Sequence, residues 1–573
     1  MLFQDGSYNA SLSLPSWGWI IAGGDTVIIR GSIGTGVSYR VGWPSKASCH
    51  PDSAPDQCWG IAGNAFYAPP PVPSGTATQH TRILGENYQA CTAKSARTQI
   101  HGGWGTGVVM PLNGSSYVDV ACIDITDFSG CGRNDDSVAC QKNGQILEDY
   151  ADDGVSLNNT STHITLTDMR LHGFSGAGIV GAPGDAFVAT DIAIVGNANS
   201  GWNADDGSGK TGVGSTLVQN FDISWNGCVE EYPITHDVPY ISCRDQSTGG
   251  YGDGFGTASV DSPAPGWQLH FDNGVVSYNT QDGLDALHIA GPGSSISETR
   301  ILAYGNEGEQ LKVGGATANI QNSLIVGNCE ALTSGTAIPG RPSPTQDNLG
   351  NPCRAGNVAV FVTTSPGHTT TYENNTLFSA GEIGLEIEYA YPDQAGSTNL
   401  FRYNNNVFVG SRNREKGENP TPLFSTADLK MLTNPGSSWS HNLYYGYRSN
   451  WSCPAHGEKG ALCTKPGLVD ETYHVIGYGN MAPASGRSAA VGAGIPVEGL
   501  TTDYSGKPRS ATPTLGAIES EFPGGPRSEN QIPSDGHPPS HAGSTVRVAG
   551  AVAVAVTVGW GVFRLRQVRR SNS

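Results

Sequence analysis

Residues 162–181 read THITLTDMRLHGFSGAGIVG, and residues 267–289 read WQLHFDNGVVSYNTQDGLDALHI. Both stretches contain an alternating apolar segment, a turn rich in Gly and Asn, and a glycine that leads into a second short apolar segment. The same arrangement returns in residues 186–205 and 294–314. Alternation with a period of two residues is typical of β-strands, and Gly and Asn favour the tight turns between them. These stretches therefore predict short strands in a repeating unit.

The aligned glycines give the length of this unit. Successive glycines are 24, 23, 53, 29, 25, 48 and 28 residues apart, and the two long steps contain cysteine-bounded segments. Self-similarity at a period of 20 to 50 residues predicts a solenoid. We expect the aligned glycines to stack in one column: Gly154, Gly178, Gly201, Gly254, Gly283, Gly308, Gly356 and Gly384.

No helical periodicity and no leucine-rich framework runs through these repeats, so an all-β parallel β-helix fits them best. The repeats resemble the right-handed, pectate-lyase-like parallel β-helix superfamily over most of residues 20–520. Residues 24–31, GDTVIIRG, are similar to its opening coil. Residues 488–494, 503–509 and 516–519 are similar to the closing segment of many secreted bacterial members. The resemblance implies a right-handed solenoid over residues 1–521, with N-terminal coils at 20–150, regular repeats at 150–414 and a closing segment at 415–521.

The charge distribution argues against a nucleic-acid partner. Residues 1–546 contain 27 Lys and Arg against 51 Asp and Glu, because the last five arginines all lie from Arg547 onward. Binding to nucleic acid requires a basic face. A body this acidic would also repel a polyanionic substrate unless a cation bridges the two.

The cysteines predict an oxidising compartment. Their number is even, their spacings are short, and no CxxC motif or histidine cluster suggests zinc. We expect a monomer with disulfides that close local loops. The six sequence-local pairs are Cys49 with Cys58, Cys91 with Cys122, Cys131 with Cys140, Cys228 with Cys243, Cys329 with Cys353, and Cys453 with Cys463.

The chain ends suggest export and anchoring. No signal peptide is visible after Met1, so we expect the true start upstream. Residues 522–545 have the composition of a linker, and residues 546–573 contain a short apolar segment followed by arginines. This tail predicts a short hydrophobic anchor helix, with the arginines on the cytoplasmic side and the body outside the cell.

Carboxylates precede three successive glycines of the column. Asp253, Asp282 and Glu307 each stand directly before an aligned glycine, whereas the residues at the next two positions are uncharged. Stacked carboxylates raise one another's pKa or bind a cation, so we interpret the three as catalytic. The alternative is turn chemistry, since Asp-Gly is a common turn dipeptide.

Strand alternation adds further candidates to this face. If Trp202 and Leu284 point inward, the outward positions place more polar residues beside the acidic column. Two of these outward residues, Asn203 and Gln310, are interpreted as substrate-binding. His288 falls on the inward parity and is a further catalytic candidate. The outward catalytic candidates are Asp205, Asp285 and Lys312.

The longest insertion, residues 228–252, leads directly into Asp253. Insertions in solenoids gather on the binding face, and aromatic side chains there could stack on sugar rings. We therefore interpret four of its residues as substrate-binding, the alternative being a decorative loop closed by a disulfide. They are Tyr232, His236, Tyr240 and Arg244.

Two short motifs resemble calcium-dependent pectate-lyase-like enzymes: WNADDG at residues 202–207 and QDGLD at 281–285. The resemblance implies that Asp205, Asp206, Asp282 and Asp285 hold calcium and that a lysine, Lys312 or Lys210, removes a sugar proton. Arg300 or Arg244 would be its charge partner. Polygalacturonase-type hydrolases are the alternative, but their Gly-His-Gly motif is absent from this chain.

The sequence thus predicts a surface-anchored protein that degrades a polysaccharide by lyase or hydrolase chemistry. A non-catalytic adhesin or glycan-binding β-helix is the alternative, because the fold serves both roles.

Overall fold

Short parallel strands make up almost all of the regular structure in the part of the chain that the structure describes. The structure is a computed structural model. It describes residues 21–31, 39–41, 69–91, 96–102, 106–127, 151–204, 211–227, 252–257, 266–289, 292–328, 358–379, 381, 383–389, 398–411, 420–425, 434–447, 453, 458–474 and 477–520.

Thirty strands are present in these ranges, with one short 3₁₀ helix at Tyr88–Ala90. The first fifteen strands are β1 (Thr26–Ile29), β2 (Tyr39–Val41), β3 (Thr81–Gly85), β4 (Thr98–Gly102), β5 (Thr106–Pro111), β6 (Ser116–Ala121), β7 (Ile123–Asp127), β8 (Ala151–Ser156), β9 (Thr162–Thr167), β10 (Arg170–His172), β11 (Ile179–Val180), β12 (Phe187–Val195), β13 (Trp202–Ala204), β14 (Gly214–Ser224) and β15 (Phe255–Thr257). The other fifteen are β16 (Trp267–Ser277), β17 (Leu284–Ala286), β18 (Ser295–Tyr304), β19 (Leu311–Val313), β20 (Thr317–Gln321), β21 (Leu324–Gly327), β22 (Val358–Thr364), β23 (Thr369–Glu373), β24 (Thr376–Ser379), β25 (Ile383–Tyr389), β26 (Leu400–Asn404), β27 (Val407–Gly410), β28 (Thr421–Ser425), β29 (Ser438–Ser440) and β30 (Leu443–Tyr445).

The strands form three parallel ladders, each of which receives one strand from every coil. One ladder, here the site ladder, is a ten-stranded sheet in the order β5, β8, β11, β13, β15, β17, β19, β22, β25, β28. The other two join into a single sheet, because the long strands β12, β14, β16 and β18 cross both. β18, for example, pairs with β20 through its first half and with β21 through its second. This topology confirms the predicted parallel β-helix.

A bend divides each long strand at one residue in the left-handed backbone region. The bend residues have φ values of 53° to 57° and include Asn220, Asn273 and Arg300. Asparagine tolerates this region better than most residues. The Asn273 side-chain amide also donates to the Asn220 Oδ1 at 2.6 Å. In two of the four long strands, asparagine therefore occupies the position at which the strand bends.

The interior of the coils is apolar and tightly filled. Alternate residues of the strands point inward, and Trp202, Phe255 and Leu284 on successive coils of the site ladder are fully buried. The rings of Trp202 and Phe255 pack edge to face, 5.2 Å apart. Burial of such side chains, at about 25 cal/mol per Å² of apolar surface, is the main term that stabilises the solenoid.

The glycine column explains why successive coils lie so close together. A Cβ atom on Gly254 would lie 2.5 Å from the carbonyl oxygen of Gly283, and one on Gly201 would lie 2.4 Å from the oxygen of Gly254. Any side chain there would push the coils apart. The strand register aligns Gly154, Gly178, Gly201, Gly254, Gly283 and Gly384 as predicted.

The prediction for Gly308 is wrong. Leu284 pairs with Leu311, so Gln310 occupies the column position and Gly308 lies two residues away, beside Gln281. Ala359 occupies the next position, and the predicted member Gly356 lies outside the described residues. The column therefore continues through two residues that are not glycines.

Buried asparagines in the turns connect the same coils through side-chain hydrogen bonds. Asn197, Asn226, Asn279 and Asn306 are fully buried, and each side-chain amide donates to the next oxygen at 2.8–2.9 Å. The last of them donates to the Gln310 Oε1 at 2.8 Å. Gln310, which we interpreted as substrate-binding, is fully buried and instead ends this ladder.

The closing segment packs back along the outside of the coils. Asn405 exchanges two hydrogen bonds with the main chain of Ile495, at 2.7 and 3.0 Å. Further along, the Asn322 side chain donates to the Thr502 carbonyl at 2.7 Å. Leu468, Met481 and other apolar residues cover an outer hydrophobic cluster. Residues 477–520 thus belong to the solenoid.

Two of the six predicted disulfides fall within the described residues, and both are present: Cys91–Cys122 and Cys453–Cys463. The other four pairs lie outside the described ranges, so they stay predictions. They are Cys49 with Cys58, Cys131 with Cys140, Cys228 with Cys243, and Cys329 with Cys353.

The predicted linker 522–545 and tail 546–573 also lie outside the described residues. In the ranges that the structure does describe, none of the helices has the length and apolar character needed to cross a membrane.

Candidate functional site

Three acidic residues stack on successive turns that enter the site ladder. Asp253, Asp282 and Glu309 directly precede the column positions before β15, β17 and β19. The main-chain N–H groups of Gly254 and Gly283 donate to the carbonyls of Asp282 and Glu309, each at 2.9 Å. The backbone therefore fixes the three acids in a column along the axis of the helix.

The third acid of the column differs from the predicted one. Glu307 was expected there, but the two-residue shift of register places it beside Thr280, where it is 2% exposed. Glu309 takes its place, because it precedes Gln310 as Asp282 precedes Gly283. The residue type was right and the position was wrong.

The two aspartates of the column also accept hydrogen bonds from the main chain of the next coil. The Asp253 Oδ1 accepts the main-chain N–H of Asp282 at 2.9 Å, and the Asp282 Oδ1 accepts that of Glu309 at 2.8 Å. Three coils earlier, the Asp153 Oδ1 accepts the N–H of Ala177 at 2.8 Å. One oxygen of each aspartate thus accepts a main-chain hydrogen bond in the turn, and the second oxygen can make other contacts.

Lys312 lies at the point where the carboxylates converge, which here is called the acid–lysine cluster: Asp253, Asp282, Asp285, Glu309 and Lys312. Its Nζ is 2.9 Å from the Asp282 Oδ2, 2.9 Å from the Asp285 Oδ2 and 3.9 Å from the Glu309 Oε2. Asp285 and Lys312 are cross-strand partners, as outward parity predicted. The side chains of Asp282, Asp285, Glu309 and Lys312 are 2–16% exposed, and Asp253 is partly exposed, so the acids are more buried than the exposed outer face we expected.

The surroundings of the cluster raise the pKa of two of its groups, Lys312 and Asp253. Burial opposes the charge on Lys312, but the carboxylates of Asp282, Asp285 and Glu309 outweigh burial and raise its pKa, so the ammonium stays charged. Burial, followed by the charges of Asp282 and Asp285, raises the pKa of Asp253 well above its usual range. An acid whose neutral form is favoured therefore lies beside two carboxyl groups that form ion pairs with a lysine.

The remaining candidates lie around this cluster or outside the described residues. Asn203 lies on the same outward row, two coils before Asp285. His288 follows β17 and is partly exposed. Arg300 is paired with Asp272 in another ladder, so it is not a charge partner of Lys312. The candidates outside the described residues are Asp205, Asp206, Lys210, Tyr232, His236, Tyr240 and Arg244.

The described donor set does not fit a calcium ion as it stands. No group of three or more His, Cys, Asp or Glu within the described ranges is placed to hold a metal. The Lys312 ammonium takes the point where oxygen ligands would converge, and one oxygen each of Asp253 and Asp282 already accepts a main-chain N–H. Calcium binding stays a prediction for the part of the chain that contains Asp205 and Asp206.

One buried acid behind the cluster was missed by the sequence reasoning. Glu298 points inward from β18, between Phe271 and Ile320 on the neighbouring coils, and is fully buried. Neither of its carboxyl oxygens has a hydrogen-bond partner among the described residues. Burial, and then the charge of Asp285, raises its pKa well above its usual range. The alternation of Ile296, Glu298 and Ile301 could have revealed an acid on the core face.

We expect Glu298→Gln to stabilise the protein increasingly as the pH rises. The folded state keeps the Glu298 proton to a higher pH than the unfolded chain, whose glutamates titrate near 4.3. Above that pH the wild type therefore loses about 1.4 kcal/mol of stability per pH unit that the glutamine variant does not lose. Denaturant unfolding of both proteins between pH 5 and 8 measures this difference, and a difference that does not change with pH would contradict it.

The three ladders and the outward acid–lysine cluster define a parallel β-helix protein with a candidate acid–base site on one face. Among solved structures, the chain is similar to "pectate lyase Pel9A", with 13% identity over 88% of this chain and 89% of that chain, at a TM-score of 0.37. It is also similar to the "Dettilon tailspike protein (gp208)", with 12% identity over 62% and 64% of the two chains and a TM-score of 0.29. A third is "PL6 family alginate lyase AlyGC", with 8% identity over 76% and 51% and a TM-score of 0.27. No family model and no curated protein matches the sequence.

Proposed function

We propose that this chain is an extracellular enzyme that cleaves a polysaccharide at the acid–lysine cluster, by hydrolysis of a glycosidic bond. The observation that carries the proposal is the placement of Asp253 and Asp285 on neighbouring coils beside Lys312, where burial and the neighbouring carboxylates raise the pKa of Asp253. Glycosidases use such a pair, in which one carboxyl group gives a proton and the other handles a water molecule.

The proposed reaction assigns one role to each group. Asp253 donates its proton to the glycosidic oxygen as the bond from that oxygen to the anomeric carbon breaks. Asp285 takes a proton from the water whose oxygen bonds to that carbon. Lys312 holds the carboxylates of Asp285 and Asp282 in place through its two 2.9 Å contacts. General acid–base catalysis of this kind contributes about 10²–10⁴-fold to the rate.

Elimination by a lyase fits this arrangement less well. A catalytic lysine base must be neutral when it removes the sugar proton, and the raised pKa of Lys312 keeps it charged. We therefore place hydrolysis ahead of the lyase chemistry that the motif resemblance implies.

The second candidate function is non-catalytic glycan binding. It is favoured by the use of Asp253 and Asp282 as acceptors of main-chain N–H groups, which gives the column a purely structural reason to exist. Under this alternative the acids hold the coils together and the outward face binds sugar without cleaving it.

The location outside the cell is part of the proposal. The two disulfides fit an oxidising compartment. Anchoring by residues 546–573 would be tested by a truncated protein that ends at Glu521. Release of this protein from the membrane fraction is expected, and its retention there would contradict the anchor.

A panel of polysaccharides, assayed with and without calcium, tests the activity. We expect new reducing ends without the absorbance of unsaturated uronates, and no requirement for calcium. Unsaturated products would show that the reaction is elimination and not hydrolysis. Strict dependence on calcium would support the predicted metal site. Saturable binding without any cleavage would leave the non-catalytic alternative.

A further inference from the structure

The outward row of the site ladder continues beyond the cluster to an aromatic side chain. Asp285, Lys312, Phe361 and Glu386 are cross-strand partners on four successive coils. Such strands are about 4.8 Å apart, so the four side chains form a line parallel to the axis. The row therefore extends the candidate site in one direction.

Phe361 is the one aromatic residue of β22, and it points outward. Its neighbours Val360 and Val362 are fully buried, whereas Phe361 is partly exposed. An exposed ring on a strand face offers a flat apolar surface, and the C–H face of a sugar ring is a good match for it. Phe361 lies one coil from Lys312, so a sugar packed on it would neighbour the cluster.

The charge of the same sheet restricts which sugars can bind. Lys312 is the only basic residue among the ten described strands of the site ladder, and three carboxylates already surround it. The acids of the strands include Asp152, Asp153, Glu386 and Glu388. Burial, and then the charge of Glu388, raises the pKa of Glu386. No basic side chain in these described strands is left to receive the carboxylate of a uronic acid.

We infer that this face binds a glycan that carries no acidic groups, with one sugar ring packed on Phe361 next to the acid–lysine cluster. The inference rests on the proposed function and names its substrate class. Outward acids such as Glu386 form hydrogen bonds with sugar hydroxyls, whereas the excess of acids over the single lysine in the described strands of the site ladder repels a polyuronate or a sulfated glycan.

Two comparisons test the inference on the full chain. In the first, the wild type is assayed for reducing ends on glycans without acidic groups and on polyuronates. Cleavage confined to the former is expected. Comparable cleavage of a polyuronate would overturn the substrate class and leave the proposed function standing, whereas no cleavage of any glycan would overturn the proposed function itself.

In the second comparison, Phe361→Ala is measured on the glycan that the wild type cleaves best. We expect KM to rise roughly threefold to tenfold with kcat changed less than twofold, as loss of one stacking contact predicts. Phe361→Tyr should retain the wild-type KM. Val180→Ala is the matched control, because Val180 lies partly exposed on the same row five coils away. An unchanged KM for a folded Phe361→Ala protein, checked by its melting curve, would remove Phe361 from the site.

Discussion

Asp253→Asn is expected to lower kcat by about 10²–10⁴-fold on the polysaccharide that the wild type cleaves. Asparagine cannot give a proton to a leaving oxygen, but its Oδ1 can still accept the N–H of Asp282, as the Asp253 Oδ1 does at 2.9 Å. Since burial and the charges of Asp282 and Asp285 raise the pKa of Asp253 and favour its neutral form, a neutral amide there should change the charge of the cluster little. Thermal stability should therefore change by less than about 1 kcal/mol.

The pH profile gives this prediction a second measurement. A general acid must be protonated, so activity should fall as the pH rises through the raised pKa of Asp253. The residual activity of Asp253→Asn should lack this alkaline limb. Initial rates from reducing-end assays across the pH range measure both effects.

Asp153→Asn is the matched control. Asp153 holds the equivalent place three coils earlier and accepts a main-chain N–H in the same way, at 2.8 Å. It lies away from Lys312, so its substitution should leave kcat within about twofold, well inside the range that general acid–base catalysis spans. Equal losses in the two variants would show that the column serves the turns alone.

The fold was predictable from the sequence because its main constraint is steric. Coils that approach within 2.5 Å of a would-be Cβ at Gly254 require glycine there, and the same requirement recurs at Gly201 and Gly283, where the next carbonyl oxygen would lie 2.4 and 2.2 Å away. Alternation of apolar residues added the direction of side chains, which placed Asp285 and Lys312 together correctly. Both constraints act within one repeat, so they can be recognised in the sequence of that repeat.

The register near Gly308 was not predictable in the same way. The sequence contains two candidates for one position of the column, Gly308 and Gln310. The strand register places Gln310 there, with its side chain buried. Gln310 accepts the hydrogen bond that ends the asparagine ladder, and its own amide donates to the carbonyls of Asn306 and Gly308, at 3.0 and 3.2 Å. That choice depends on contacts between coils 27 residues apart, such as Asn279 to Asn306, which no single repeat contains.

The candidate site, like the fold, could be predicted from the sequence only in part. Asp253, Asp282, Asp285 and Lys312 were found from spacing and strand parity, whereas Glu309 was not, and the role of Lys312 as a base stays a prediction. A lysine on a carbohydrate-binding face suggests a base, whereas here three carboxylates within 4 Å keep Lys312 charged. Glu298 was missed because it lies in the core, where an acid without a partner among the described residues is rare.

Lys312→Met is expected to lower the free energy of unfolding at pH 7 by about 3–5 kcal/mol, the usual cost of removing one partner from a buried ion pair. The methionine keeps most of the side-chain volume, so the loss comes from charge. Lys312 is 13% exposed and Asp282 only 2%, which leaves Asp282 and Asp285 ionised, close together and poorly solvated in the variant.

The size of this loss should depend on pH in a defined direction. As the pH falls toward the ordinary aspartate pKa of about 3.9, the carboxylates of the variant take up protons and their repulsion disappears. The difference in unfolding free energy between wild type and variant should therefore shrink from pH 7 to pH 4. Lys465→Met is the control, because Lys465 is 64% exposed in its pair with Glu471 and should contribute nothing measurable. If Lys312→Met unfolds at the same denaturant concentration as the wild type at pH 7, then the ammonium does not hold the cluster together, and Asp253 and Asp285 lose the charge arrangement on which their catalytic roles depend.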